Sequence, residues 1–334
     1  QTGCFTLTKQ PPQNPGRFIY ADRSDNDLHN VNRRMMFLDD LHTEQKSRTA
    51  ALFTHWNVPL TDTWSLASGA RIERNTVEIT PRGSNRRERE WTHFLPKLAV
   101  QYQLAAEHQW YASVSQGVRT GGFNTLTVAT NYSTFAPEKN WSYETGFKGW
   151  ALNQRLRYSA ALYWMNIDNM QVLQIPAPGL AYVASAATAT SKGLELDVDY
   201  LLQGGWQLKA GLAVNRTRFD RFIDGAANHH GKHNPFAPDL TGYAGIRYDA
   251  AQGWYAQAQV RGSSKVYLDA ANTYQRNGHA LIDLTAGYQR GDWDISAYVK
   301  NAANKTYDAV GYQNGFVTVL SPPREVGMRL TWRM

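Results

Sequence analysis

The sequence predicts an all-β chain, an antiparallel transmembrane β-barrel. Three observations carry that prediction. Apolar side chains recur at every second position, short and long connections alternate, and Trp stands at the start of strand after strand. The bulk numbers bound the alternatives. The chain has 334 residues, of which 42% are hydrophobic, yet its mean hydropathy is -0.52. It has no run near the roughly 18 consecutive apolar residues that a membrane-crossing helix needs. A β-barrel escapes that exclusion, because its lumen face dilutes the apolar signal to half of each strand.

The first forty residues are the least regular. Residues 5–8 and 17–23 read as strands around a Pro-rich turn at 10–16, and 25–36 as an outer loop. Beyond them the alternation is regular. Trp110, Ala112, Val114 and Val118 oppose Tyr111, Ser113, Ser115 and Arg119. Leu194, Leu196, Val198 and Tyr200 oppose Glu195, Asp197 and Asp199. Trp206, Leu208, Ala210, Leu212 and Val214 oppose Gln207, Lys209, Gly211 and Asn215. Trp254, Ala256, Ala258 and Val260 oppose Tyr255, Gln257, Gln259 and Arg261, and Ile282, Leu284, Ala286 and Tyr288 oppose Asp283, Thr285 and Gln289. Trp293, Ile295, Ala297 and Val299 oppose Asp294, Ser296, Tyr298 and Lys300. At the C-terminus Val326, Met328, Leu330, Trp332 and Met334 oppose Glu325, Arg329 and Arg333. A period of two with unlike faces marks a strand, and stripes of about nine to eleven residues suit a tilted strand crossing hydrocarbon. The count is about fifteen strands, 14–16 allowing for the irregular start.

A soluble sheet would alternate too, so the connections discriminate. Short turns fall near 59–62, 105–108, 152–154, 203–205, 250–253 and 290–292. Trp64, Trp110, Trp206, Trp254 and Trp293 stand at or just after five of them, and Tyr102, Tyr200, Tyr248 and Tyr288 close strands that enter them. That arrangement predicts an aromatic girdle at one membrane interface. Long polar loops are expected at 76–90, 120–139, 168–190, 220–239, 265–278 and 304–323. Short turns on the periplasmic side and long loops outside are the barrel pattern; a sandwich or propeller has no reason to sort its connections so.

Lone Cys4 excludes an internal disulfide, and the first four residues do not read as a signal peptide. An exported protein would then have lost its signal, or the chain would start part-way through a longer gene product. The formal net charge of +7 is scattered, without basic runs interleaved with aromatics, so no nucleic acid is expected as partner. A cationic lumen, or contact with anionic headgroups of outer-membrane lipid and lipopolysaccharide, fits better.

Several segments resemble the C-terminal barrel of TonB-dependent outer-membrane receptors of the ferric-siderophore type. Tyr111-Ala112-Ser113-Val114-Ser115-Gln116-Gly117-Val118-Arg119, running into Thr120-Gly121-Gly122-Phe123-Asn124, resembles a strand-and-loop motif of that family. Pro137-Glu138-Lys139-Asn140-Trp141-Ser142-Tyr143-Glu144-Thr145-Gly146-Phe147-Lys148 resembles the motif that follows. Lys192-Gly193-Leu194-Glu195-Leu196 resembles its Gly-x-Glu strand start, and Val299-Lys300-Asn301-Ala302-Ala303-Asn304-Lys305-Thr306-Tyr307 its penultimate strand. The set runs in the family's order across roughly residues 45–334. The resemblance implies an outer-membrane receptor, not an enzyme, that binds a ferric siderophore or similar chelate and is energised by the TonB-ExbB-ExbD complex. It also implies a barrel of 22 strands behind an N-terminal plug and TonB box. This chain is therefore expected to be the C-terminal part of such a barrel, without the plug, acting as a monomer. The barrel-assembly machinery would read Leu330, Trp332 and Met334, where the family more often ends in Phe.

No Ser/His/Asp, Cys/His or phosphate-cradling set is present, and no cofactor is expected. Glu195, Asp197 and Asp199 stand about 7 Å apart along one strand face, too wide for a tight cation cage, and read as a charged lumen wall. His229, His230 and His233 could meet a transition metal, against the plainer reading of a solvated loop. Ligand capture, as the resemblance implies, would fall to outer-loop aromatics and an Arg: Arg119, Phe135, Tyr182, Phe222, Tyr274, Tyr312 and Phe316. The alternatives are a passive porin-like channel or a non-functional truncated barrel, and, in a different class, a soluble all-β binding module.

Overall fold

The computed structural model describes residues 43–81, 85–125, 134–177, 180–312 and 317–333. The strands expected at 5–8 and 17–23 lie outside them. Thirteen long strands form one antiparallel sheet in strict chain order. They are β1 (Thr43–Pro59), β2 (Trp64–Pro81), β3 (Arg87–Ala105), β4 (His108–Arg119), β5 (Glu138–Ala151), β6 (Leu156–Ala177) and β7 (Leu180–Leu201), then β8 (Trp206–Arg221), β9 (Leu240–Asp249), β10 (Trp254–Ser263), β11 (His279–Arg290), β12 (Trp293–Lys300) and β13 (Glu325–Trp332). Among the described residues β1 pairs only with β2 and β13 only with β12. The order is a pure meander, the simplest wall for a barrel.

The six short turns stand where the sequence puts them. At one of them Gly253 adopts φ 95, and a Cβ there would lie 2.1 Å from the Gln289 carbonyl oxygen. Only glycine fits that corner.

The expected long loops divide. The described residues of 120–137, 222–239, 264–278 and 301–324 leave the wall and form two-stranded ribbons of their own. The other two expectations are corrected. Within 76–90 the β2–β3 ladder continues through Thr76↔Glu90 to Ile79↔Arg87. Within 168–190, β6 and β7 continue as a hairpin to Ala177↔Leu180 with register shifts. Above the membrane these strands face water on the outside and lose the apolar stripe, so they read as loop, while their backbone groups still pair.

Register carries the outward face across the wall. The row Val198↔Ala210↔Ala244↔Val260↔Ile282 is apolar throughout, and so is Leu208↔Ile246↔Ala258↔Leu284↔Val299↔Val326. The rings expected to form a girdle meet one another at the short-turn rim. Trp64 packs on Tyr102 at 4.6 Å and lies 6.3 Å from Trp110; Trp206–Tyr248 and Trp254–Tyr288 are 4.8 Å apart, and Trp293–Trp332 5.7 Å. Each first-named Trp partners the aromatic that ends the next strand, so the contact joins strands whose connection runs through the opposite rim.

The inward face is polar and follows a second rule. Tyr111, Tyr163, Tyr243, Tyr255 and Tyr298 each stand directly across from a glycine: Gly146, Gly193, Gly211, Gly287 and Gly327. A Cβ on any of these glycines would come within 2.2–2.8 Å of its neighbours, the tyrosine among them in every case. The ring lies flat over the bare backbone, which shields those hydrogen bonds and pins the register.

Candidate functional site

The inward face at the long-loop end gathers the outer loops. Ile167, Ala187, Ala189 and Phe219 share the inward side of β6–β8 and form one buried cluster with Val172, Phe222 and Ala270. Phe222 and Ala270 come from the 222–239 and 264–278 loops, so those loops fold inward over the mouth. A second cluster joins Val77 and Ile79 of β2, with Trp91, to Phe123 from the 120–137 loop.

Polar side chains clamp the same loops. Gln171 Nε2 donates to the carbonyls of Thr120 and Ala136 at 3.0 and 3.1 Å, and its backbone N–H donates to Glu138 Oε2 at 2.7 Å. Asn124 exchanges two bonds with the backbone of Val183, at 3.2 and 2.7 Å. Asp269 accepts from the backbone N–H groups of Thr273 and Tyr274, and Asn272 bridges to the backbone of His233. These residues escaped the sequence reading; Asp269 alone carries a local signal, an acceptor at a turn, while Gln171 and Asn124 bond to residues far along the chain that no local window contains.

Most of the expected ligand residues prove to be part of this packing. Phe222 is 0% exposed, with its ring 5.0 Å from both Phe219 and His229. Tyr182 is buried, and its hydroxyl donates to the Asp224 carboxylate at 2.8 Å, tying β7 to the 222–239 loop. Phe135 lies against Gly122, whose Cβ would sit 2.6 Å from the ring tip. Tyr274 donates to Asp308 Oδ2 and lies over Gly311, which joins the last two loops. Arg119 ends β4 and is exposed on the side that faces inward by alternation. Tyr312 ends the ribbon strand Asp308–Tyr312, and Phe316 lies outside the described residues.

The three histidines do not converge. His229 turns into the apolar cluster against Phe222, His230 Nδ1 meets the Asp220 carbonyl, and His233 Nδ1 lies 3.5 Å from Asp239 Oδ1. Among the described residues no group of three or more His, Cys, Asp or Glu is placed to hold a metal ion. The expected metal trio is not assembled among these residues, because each imidazole is drawn to its own partner: the Phe222 ring, the Asp220 carbonyl or the Asp239 carboxylate. Burial holds His229 below the ordinary imidazole value, helped by Lys232, and burial also lowers His233, with Arg218 adding to it.

Lower on the inner wall a groove of about 520 Å³ is lined by Glu195, Asp197, Tyr243, Arg261 and His279 among others. Several of its polar side chains hold one another in place. Tyr243 donates to Asp197 at 2.6 Å and Arg261 to Asp283 at 2.9 Å, and above the rim Lys209 lies 3.4 Å from Asp199. The carboxylate row is the charged lumen wall expected of it. A polar inner face with inward-folded loops is suited to meeting a solute, and among the described residues of the groove no nucleophile stands beside a base.

Trp332, within the expected assembly signal, belongs to the girdle, and Leu330 shares its outward face; Met334 lies outside the described residues. Comparison with known proteins places this architecture. The pesticin receptor of Yersinia pestis is 25% identical over 284 residues, covering 80% of this chain and 41% of the receptor. The ferrioxamine receptor of Yersinia enterocolitica is 26% identical over 263 residues, or 76% of this chain and 36% of the receptor. The crystal structure of the ferric yersiniabactin uptake receptor from Yersinia pestis superposes with a TM-score of 0.70 at 22% identity, over 87% of this chain and 46% of the other. The chain thus spans less than half the length of these relatives. The family model for TonB dependent receptor-like β-barrels matches residues 8–302, and the chain belongs to that outer-membrane family of transport receptors.

Proposed function

We propose that this chain is the barrel portion of a receptor that takes up a ferric siderophore or similar iron chelate across the outer membrane. One observation carries the reading most directly. The loops around Phe123, Phe222 and Ala270 fold inward onto the polar face of the wall, so a solute entering from outside meets ordered loop surface before it reaches the groove. A passive pore gains nothing from closing its own mouth. The names of the relatives supply the ligand class: pesticin, ferrioxamine and pyoverdine receptors. All the described residues belong to wall or loops, so coupling to the TonB-ExbB-ExbD complex is assigned to a plug domain of the intact receptor. The intact receptor acts as a monomer, is inserted by the barrel-assembly machinery, and uses Arg119 at the mouth to meet an anionic chelate.

The test is growth under iron limitation. The intact receptor, expressed in a strain stripped of its own siderophore receptors, should restore growth on a ferric siderophore only when TonB is present. Restoration without TonB would refute energised uptake. Failure across hydroxamate, catecholate and phenolate siderophores would refute the ligand class.

A further inference from the structure

The upper parts of β6 and β7 break the parity of the wall at one level. From Ile167↔Ala189 to Met170↔Ala187 β6 takes three steps and β7 two; from there to Val172↔Ala184 β6 takes two and β7 three. The two shifts cancel, and the ladder resumes through Leu173↔Val183 and Gln174↔Tyr182. Asn169, inside the first shift, holds φ 53°. A bulge of this kind re-aims the side chains beyond it. Ile167 and Val172, five positions apart, therefore both enter the inner cluster, whereas strict alternation would send them to opposite faces. Gln171, beside Val172, is directed instead at the 120–137 loop.

Neighbouring residues of this upper hairpin hold different loops. On β6, Gln171 Nε2 donates to the carbonyls of Thr120 and Ala136, while Met170 Sδ accepts from Asn234 Nδ2 of the 222–239 loop at 3.1 Å. On β7, the Val183 N–H donates to Asn124 Oδ1, and Ser185 Oγ accepts from the Ala136 N–H at 2.9 Å. The Tyr182 hydroxyl, one residue before Val183, donates to Asp224 of the 222–239 loop. Among the described residues no hydrogen bond or ion pair joins the two loops to each other, and their buried anchors Phe123 and Phe222 stand in separate clusters. What one loop feels of the other passes through the hairpin between them.

We propose that Gln171 and Tyr182 are positioning residues through which this hairpin couples the two loops, so that the 120–137 and 222–239 loops open together. A solute that seats one loop then orders the other whatever its chemistry, so the coupling does not depend on the ligand being an iron chelate. It is reciprocal, as a coupling free energy between two sites must be. The wall does not share it, because 206–214 is held in ladders on both sides. Nor does the 301–324 loop, whose clasp runs from Asn301 to Lys305 and Pro322 within itself.

The test is hydrogen-exchange mass spectrometry of the full chain in dodecyl maltoside micelles, on two variants that keep bulk and lose donors, Gln171→Leu and Tyr182→Phe. The Ala136 amide reports one loop, and the His229 and Gly231 amides the other. Each variant should speed exchange about tenfold at the loop its residue holds and about fivefold at the other. Peptides of 206–214 and the amides of Lys305 and Ser321 should not change. A side chain that only packs its own loop moves neither distant reporter, so acceleration confined to that loop would overturn the coupling. An effect that runs from Gln171→Leu to 229–231 but not from Tyr182→Phe to Ala136 would do the same. Unchanged exchange at a variant's own loop would deny it the positioning role, and equal loosening at 206–214, 305 or 321 would replace coupling with general destabilisation.

Discussion

Phe222→Ala should release the 222–239 loop from the mouth while leaving the wall intact. The side chain has no solvent exposure, touches Phe219 and His229 at 5.0 Å, and belongs to a cluster whose other members lie on β6, β7, β8 and the next loop. Truncating a buried Phe to Ala costs about 3–5 kcal/mol in transfer and cavity terms. At about 1.4 kcal/mol per decade, amides that exchange through opening of this loop should speed up about two to three orders of magnitude. The informative ones are His229 and Gly231, bonded to the carbonyls of Phe222 and Phe219 at 2.9 and 2.8 Å. Hydrogen-exchange mass spectrometry in micelles reads them. The 206–214 peptides, held in ladders on both sides, should not change. Unchanged protection at 229–231 would refute the claim that the apolar cluster holds the loop in place. Equal loosening of 206–214 would show that loop and wall open as one unit, which also defeats the argument.

Three further outcomes follow from the same geometry. Gly327→Ala places a methyl about where the Tyr298 ring tip stands, 2.4 Å away, and should destabilise the chain by about 1–3 kcal/mol in urea titrations; with Tyr298→Ala in place the added cost should largely vanish, and additive costs would deny the ring-over-glycine contact. Ala210→Arg, mid-way along the outward stripe of β8, should cost about 2–4 kcal/mol in bilayers, whereas Gln259→Arg on the inward face should cost much less; similar costs would mean the faces are misassigned. Acid should loosen the 222–239 loop. His229 and His233 are held below 6.5 in the folded state, so the unfolded loop binds more protons; stability is full above about pH 6.5 and falls as pH drops through that value toward the depressed one. Limited proteolysis from pH 7.5 to 5 should show it, and His229→Phe with His233→Phe should flatten the profile; a profile unchanged by the pair removes histidine from the account.

The wall was legible because a barrel strand states its two faces residue by residue. Trp206 to Val214 and Ile282 to Tyr288 needed nothing beyond parity, and the turn at 250–253 needed only Gly253 and the Trp that follows it. The upper halves of β2–β3 and β6–β7 were not legible, because parity there separates water from packed loop rather than lipid from lumen. Thr76, Glu78, Glu88 and Glu90 look like loop by composition, yet they are ladder residues outside the membrane. Their pairing follows from neighbours on other strands, which no local window contains.

At the mouth one residue type carries two readings. Aromatic residues on long outer loops are what a ligand site would use, and equally what a loop needs to pack itself. Phe222, Tyr182, Tyr274 and Phe135 all take part in packing, through contacts with Phe219, Asp224, Asp308 and Gly122 respectively. Phe222 and Tyr182 are buried and Phe135 and Tyr274 half-buried, and together their contacts fix the loops at the mouth. A loop held this way loses less conformational freedom when it binds. For the proposed chelate, substituting the buried rings Phe222 and Tyr182 should therefore weaken capture by loosening the loops, whereas Arg119→Gln, at an exposed inward position, should weaken it with the loops' hydrogen exchange unchanged; equal loosening in both would defeat the distinction.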